Sequence, residues 1–355
     1  MDKFRIDSHK LIYHIPRVND WLEGKNIYPL YMEVSPSGAC NHRCLYCGLD
    51  FMEYKPIYLD TDTFKIRLTE MGTLGLKSIM YAGEGEPFLH KDMVEIVKHT
   101  RKSGIDVAIT TNGVLLKKDI IDSVLPDIEW IKVSINGATK DTYAKIHRCK
   151  PDNFERVIEN MSYAANLKKD KGYSCTLGMQ LLLLPDNYHE VVALAKLACA
   201  IGMNYLVIKP YSQHPQSKTK KYSTIKYDQY EYLWDELKEL ENDDFSVIFR
   251  IRTMKKWDMA DKLYHQCLAL PFWSYIDAGG NVWGCSVYLG NKNFLYGNIY
   301  EQTFKEIWEG EKRFESLSWV QEKMDASKCR INCRMDEINK YLWELKSPPE
   351  HVNFI

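Results

Sequence analysis

Three cysteines within eight residues, Cys40, Cys44 and Cys47, constrain this chain more than any other feature. They follow a strand-like apolar run over 28–34 in a C-x3-C-x2-C spacing, so three thiolates on one loop can face a single metal centre. Iron–sulfur clusters are the usual users of such loops, and a closed four-iron cluster takes four protein ligands. This loop offers three. The next cysteine, Cys149, lies about a hundred residues on, which leaves the fourth iron open to a ligand that is not protein. Tyr46 sets an aromatic face beside that open position. The alternative is a structural zinc site with His42 or a distant cysteine as fourth ligand. Such sites usually arrive as two C-x2-4-C or H-x3-5-H pairs, and no second pair stands near this loop.

With 355 residues, the chain can bury one large core and a smaller appended unit. Its 47 basic and 48 acidic residues balance, which argues against a strongly basic nucleic-acid binder, so no nucleic-acid partner is expected. No apolar run approaches the roughly 18 residues of a membrane span, and the charged first ten residues lack a signal-peptide core. A cytoplasmic protein with no membrane partner is the expectation. Ten cysteines in a large unsignalled chain point to metal binding rather than disulfides. Seven fall into two groups, leaving Cys149, Cys175 and Cys199 apart.

After the cysteine loop, helix-period segments alternate with short apolar runs. Helices are expected over 61–74, 91–103, 117–124, 153–169 and 189–200, and strands over 77–81, 106–110, 130–135, 176–184 and 205–209. With the first strand this makes six units, which predicts an α/β fold: a parallel sheet with helices outside, closed as a partial (β/α)6 TIM-like barrel. A small α+β unit, a β-hairpin plus helix, is expected to follow. The expected organisation is a lead-in over 1–27, the barrel over 28–225, a connecting helix and strand over 226–262, the second unit over 263–345 and a tail over 346–355.

Functional groups gather at the carboxyl ends of strands in parallel barrels. That rule points to the segments 82–87 after the second strand, 110–113 after the third and 133–138 after the fourth. Gln180 and Lys209 on the fifth and sixth strands are expected to line the substrate side. The segment 212–227 carries Lys218, Lys220, Lys221 and Lys226; it reads first as a solvated loop, with a phosphate clamp as the alternative.

The cysteine spacing with Tyr46, the Gly85–Glu86–Pro87 element and the Thr111–Asn112–Gly113 segment together resemble the radical S-adenosylmethionine (SAM) superfamily. The resemblance implies that Cys40, Cys44 and Cys47 hold a [4Fe–4S] cluster whose open iron binds SAM. It implies further that Tyr46 lies against the adenine, that Gly85 and Glu86 receive the amino group, and that Thr111, Asn112, Ser134 and Asn136 reach the ribose and carboxylate. Asn136 stands where the family more often has aspartate. Reductive cleavage of SAM to a 5′-deoxyadenosyl radical, fed by a donor such as flavodoxin or ferredoxin, is the implied first half-reaction.

Cys267, Cys285, Cys329 and Cys333 form the second group, the first pair flanking a hairpin pattern with a Gly279–Gly280–Asn281 turn. Four cysteines suit an all-cysteine zinc site or a fully ligated [4Fe–4S] cluster. Their order resembles the auxiliary-cluster modules called twitch and SPASM domains, which implies one auxiliary [4Fe–4S] cluster. A cluster closed by protein suits electron acceptance, and single-cluster twitch enzymes resemble dehydrogenases of amino sugars and cyclitols. The expected activity is therefore an oxidoreductase of dehydrogenase or epimerase type acting on a small polar molecule: a sugar, nucleotide sugar or cyclitol. Peptide or protein oxidation, including sulfatase-type maturation, is the alternative, since 39 residues before Cys40 leave little room for a peptide-recognition domain. From another class comes a non-catalytic electron carrier or a zinc-stabilised binding protein. For proton or hydrogen transfer the position-based candidates are Cys149, Arg148 and Lys209, with His147 beside them.

Overall fold

The computed structural model of the protein describes residues 3–6, 8–259 and 262–354; the extreme ends of the expected lead-in and tail lie outside these. Strands β1 (Tyr31–Val34), β2 (Ser78–Tyr81), β3 (Asp106–Thr111), β4 (Trp130–Ser134), β5 (Thr176–Leu183) and β6 (Tyr205–Pro210) run parallel in sequence order. These are the six expected strands of the partial barrel. A seventh, β7 (Ser246–Phe249), extends the sheet beyond β6.

The hairpin of the second unit joins the same sheet. Strand β8 (Trp273–Ile276) pairs parallel with the free edge of β1, Tyr31 opposite Trp273 and Glu33 opposite Tyr275. Strands β9 (Asn281–Trp283) and β10 (Leu295–Asn298) then add antiparallel, giving one ten-stranded sheet in the order β10-β9-β8-β1-β2-β3-β4-β5-β6-β7. The pairing covers a row of β1 backbone groups that would otherwise be exposed at a sheet edge.

Alternation along each strand decides what faces where. Met32, Val34, Ile79, Tyr81, Val107, Ile109, Ile131 and Val133 point outward and are buried beneath the helices. The opposite face lines the barrel. At its amino-terminal end this face is apolar: Met80 and Ala108 meet Tyr31 and Trp130, while Tyr205, Val207 and Ile248 meet Phe4 and Ile6 of the lead-in. Gly178 makes room for this plug, because a Cβ there would stand 2.2 Å from the Tyr205 ring. Towards the carboxyl ends the same face turns polar, through Glu33, Thr110, Lys132, Ser134 and Lys209. The lead-in thus closes one mouth of the barrel and the chemistry gathers at the other.

The helices expected from periodicity are present, for example Thr61–Thr73 and Asn153–Lys171, the latter ended by Gly172 at φ 65°. Helix Lys140–His147 was not legible in the pattern. Its first turn is held by Glu190, whose carboxylate accepts from Ala138 N at 2.6 Å, Thr139 N at 3.1 Å and the hydroxyls of Thr139 and Thr142. A tertiary anion at the helix start does here what local sequence does not. No helix among the described residues is long and apolar enough to cross a membrane.

Candidate active site

The cysteine loop lies across the carboxyl ends of the strands and is tied down by four other segments. Ala39 O accepts from Glu86 N at 2.8 Å, and a Cβ on Gly85 would stand 2.0 Å from that same oxygen. Position 85 therefore tolerates only hydrogen. Asn112 Nδ2 donates to Asn41 Oδ1 at 2.7 Å, bringing in the segment after β3. Arg43 N and Leu45 N donate to His147 O and Ile146 O at 3.1 and 2.9 Å, and Ser217 Oγ donates to Cys47 O at 3.1 Å.

All ten cysteines are free thiols. A single tetrahedral zinc with ligand bonds near 2.3 Å would hold its sulfurs about 3.8 Å apart. Among the described residues, the only three His, Cys or carboxylate groups whose ligand atoms all lie within 4.8 Å are His42, Cys44 and His147. That trio brings one cysteine, and no three sulfurs of either cysteine group close to that spacing. Three thiols on one loop and four in the second unit are donor sets that suit iron–sulfur clusters. Burial, and then neighbouring sulfurs, push the thiols of Cys44, Cys267 and Cys285 up, Cys267 to about 12. Such thiols become thiolates only when bound iron supplies the opposing charge.

Glu86 is buried beside the loop and anchors the segment after β3. Its Oε1 accepts from Phe88 N at 3.3 Å and from the Thr111 hydroxyl, and its Oε2 from Asn112 N at 2.8 Å. Burial pushes its carboxyl up to about 6, offset by the donors from Asn112, Thr111 and Phe88. Tyr46 is half-buried, its ring edge-on to His147 at 5.7 Å. Ser134 is half-buried on the inward face of β4. Asn136 is fully buried in the left-handed region at φ 51°, its Oδ1 accepting from Leu182 N at 2.6 Å and its Nδ2 facing His147 Nε2 at 3.3 Å. The side chain is engaged in joining β4 to β5.

The structure does not bring the three position-based candidates together. Lys209 stands on the inward face of β6. Arg148 is exposed, turned outward by its left-handed conformation at φ 47° as it caps helix Lys140–His147. Cys149 is half-buried against the helix-side core, its Sγ 3.6 Å from Lys150 O. His147 sits with Nδ1 3.4 Å from Cys44 Sγ and Nε2 3.0 Å from Ile135 O. Burial and then His42 pull it down to about 3, which makes it a poor base.

Each sulfur of the second group has at least one hydrogen-bond donor. Cys267 Sγ receives Asn339 Nδ2 at 3.7 Å, Cys285 Sγ receives Val287 N at 3.5 Å, Cys329 Sγ receives the Tyr288 hydroxyl at 3.5 Å and Cys333 Sγ receives Met335 N at 3.4 Å. Lys262 and Arg330 add positive charge beside Cys333. Sequence reasoning missed Lys132, Glu33, Arg330 and Arg334. The two arginines directly follow Cys329 and Cys333, and Lys132 occupies an inward position of β4, so adjacency and alternation were the available signals.

Residues 34–198 match the radical SAM superfamily, and residues 267–334 match the SPASM iron–sulfur cluster-binding domain. The chain joins a radical SAM domain to a SPASM-type domain. Together the two domains imply SAM and two [4Fe–4S] clusters. The AdoMet-dependent heme synthase of Methanosarcina barkeri is 25% identical over 296 residues, 79% of this chain and 82% of that protein. A probable GTP 3′,8-cyclase of Saccharolobus solfataricus is 31% identical over 137 residues, 38% of this chain and 44% of that protein, so the chain spans less than half of it. Among solved structures, Streptococcus suis SuiB bound to its precursor peptide SuiA has a TM-score of 0.66 at 18% identity, covering 84% of this chain and 69% of that one. The enzyme anSMEcpe with bound AdoMet has a TM-score of 0.61 at 16% identity, covering 90% and 97%. At those identities the likeness concerns the fold.

Proposed function

We propose that this radical SAM protein is an oxidoreductase that removes hydrogen from a small polar substrate, such as a sugar, nucleotide sugar or cyclitol. Cys40, Cys44 and Cys47 hold the SAM-binding cluster, and Cys267, Cys285, Cys329 and Cys333 hold the auxiliary one. When bound, the first cluster and SAM supply a hydrogen-abstracting 5′-deoxyadenosyl radical, and the auxiliary cluster supplies an electron sink. The observation that carries the oxidative reading is the donor set on the second cysteine group. Four sulfurs with at least one donor each, beside Lys262 and Arg330, make a site that stabilises added negative charge.

Glu86 orients SAM. A carboxylate has about four acceptor positions, and three donors already engage this one, leaving one for an ammonium group. Tyr46, Thr111, Asn112 and Ser134 bound the space around it, and Asn136 keeps the end of β4 in place. Dehydrogenation is favoured over epimerisation, because a returning hydrogen needs a donor such as a thiol. Cys175 is buried at the amino-terminal end of β5, Cys199 lies in helix Val191–Ala200, and Cys149 packs toward the helices.

The test is anaerobic. Cluster-loaded protein with SAM and reductant is given cell extract in two fractions, one passing an ultrafilter and one retained, and 5′-deoxyadenosine is measured. Stimulation by the small-molecule fraction is expected. Stimulation by the retained fraction alone would replace this substrate class with a peptide or protein.

A further inference from the structure

We propose that the substrate is an oxyanion, and that its phosphoryl or carboxylate group sits against Lys132 and Lys209 inside the barrel. The proposal rests on the small-substrate reading above and narrows it. Lys132 on β4 and Lys209 on β6 flank β5, opposite Gly178 and Leu182 respectively, on the face that lines the barrel. Among the described residues neither ammonium has a hydrogen-bond acceptor or an ion-pair partner; Lys132 Nζ stands 5.3 Å from the Trp130 ring centroid. Both side chains are half-buried, so water reaches them within the barrel.

The loop lysines, the more obvious anion clamp, behave differently. Lys218 pairs with Glu53 at 3.2 Å and Lys221 with Asp186 at 2.9 Å, while Lys220 and Lys226 donate to the backbone oxygens of Pro215 and Asp258. Among the described residues Lys132 and Lys209 make no such bond. Arg330 binds Ser212 Oγ and Ser212 O, both at 2.7 Å, and Arg334 pairs with Glu33 at 2.6 Å. Glu33 keeps 4% of its side chain accessible and Arg334 keeps 43%; Arg334 engages Oε1 of the carboxylate, Oε2 has no hydrogen-bond partner, and the guanidinium still faces open space.

The two arginines lie beside the auxiliary sulfurs and can compensate bound thiolates. Lys132 and Lys209 feel the Glu33 carboxylate without pairing with it, and the strongest charges on Lys209 are the cations Lys132, Arg250, Arg334 and Arg330. Lys132 is drawn down to about 8 by burial, then by Arg334 and Arg250, against Glu33. Cations enclosed at close quarters repel one another, and a bound anion relieves all of them at once. The anion would be gripped at the carboxyl-terminal mouth, where the rest of the substrate meets the SAM side of the barrel.

The test uses cluster-loaded full chain under anaerobic calorimetry, titrated with inorganic pyrophosphate and separately with succinate. At least one anion is expected to bind, more weakly by tenfold or more in Lys132→Met and Lys209→Met, with SAM affinity and iron content retained as proof of fold. Lys218→Met is the surface control and should bind as the parent does. Absence of binding by either anion, or binding that both barrel variants keep, overturns the proposal. In parallel, the ultrafiltered extract is passed over an anion-exchange resin. Retention of the 5′-deoxyadenosine-stimulating activity supports an anion, and its loss to alkaline phosphatase assigns a phosphoryl group rather than a carboxylate. Stimulation in the resin flow-through overturns the anion site while the small-substrate reading stands. Stimulation by macromolecules alone overturns that reading, and the calorimetry then decides the anion site by itself.

Discussion

Replacing Glu86 by glutamine removes one charge and swaps one acceptor oxygen for a donor, with nearly the same volume. In the parent, Oε1 serves Phe88 N and the Thr111 hydroxyl and Oε2 serves Asn112 N. A glutamine amide set either way leaves at least one of these donors facing an NH2, at about 1–3 kcal/mol for a buried unsatisfied group. The charge-assisted bond to the SAM ammonium is lost as well, worth about 1.5–3 kcal/mol, so SAM should bind about ten- to a hundredfold more weakly. Equilibrium dialysis of labelled SAM against cluster-loaded protein measures this. The pH profile supplies a second reading. The buried carboxyl, pushed up to about 6, is charged above that pH and gains a proton as pH falls through it. SAM affinity in the parent should therefore decline below pH 6, and the decline should be missing in Glu86→Gln. An affinity within threefold of the parent, with iron content and fold intact, would refute the assignment of Glu86 to the ammonium.

Gly85→Ala would drive a methyl into Ala39 O, 2.0 Å from its Cβ, so the first cluster should be lost while the auxiliary one stays, read as a fall in iron and in SAM binding. Cys285→Ser should lower iron from about eight to about four per chain yet leave SAM binding unchanged; loss of both clusters would contradict two independent sites. Glu84, whose Oε2 accepts from Ala278 N at 3.0 Å, is pushed up to about 7 by burial. The folded state disfavours its charge, so stability is higher at low pH and falls as pH rises from about 4.5 to about 7, by about 3 kcal/mol in all. Glu84→Gln should flatten that slope in thermal melts; an unchanged slope would assign it to other groups.

The barrel strands were legible because runs such as 176–184 are apolar on both faces but for Thr176 and Gln180, as a doubly covered strand requires. The cysteine groups were legible because cluster ligation fixes residue type and spacing. What escaped depended on partners far away in sequence. Helix Lys140–His147 starts on the carboxylate of Glu190, and β8 finds its place only because β1 leaves an edge open. The loop lysines drew notice as a run, yet carboxylates at Glu53 and Asp186 neutralise two of them, whereas Lys132 looked like any polar residue within a strand. Asn136 was read as a ligand contact from its motif, but its fully buried amide engages Leu182 N.

The ladder between β1 and β8 also fixes a distance. The first cysteine loop follows β1, and the β8–β9 hairpin leads to Cys285, so the first sulfur group and one ligand of the second follow hydrogen-bonded neighbours about 4.8 Å apart. Electron tunnelling is steeply sensitive to the gap it crosses. In the proposed oxidation that gap would be spanned within one continuous sheet, across the ladder of β1 and β8. The path proposed for the departing electron would thus run through the same sheet that carries the barrel lining.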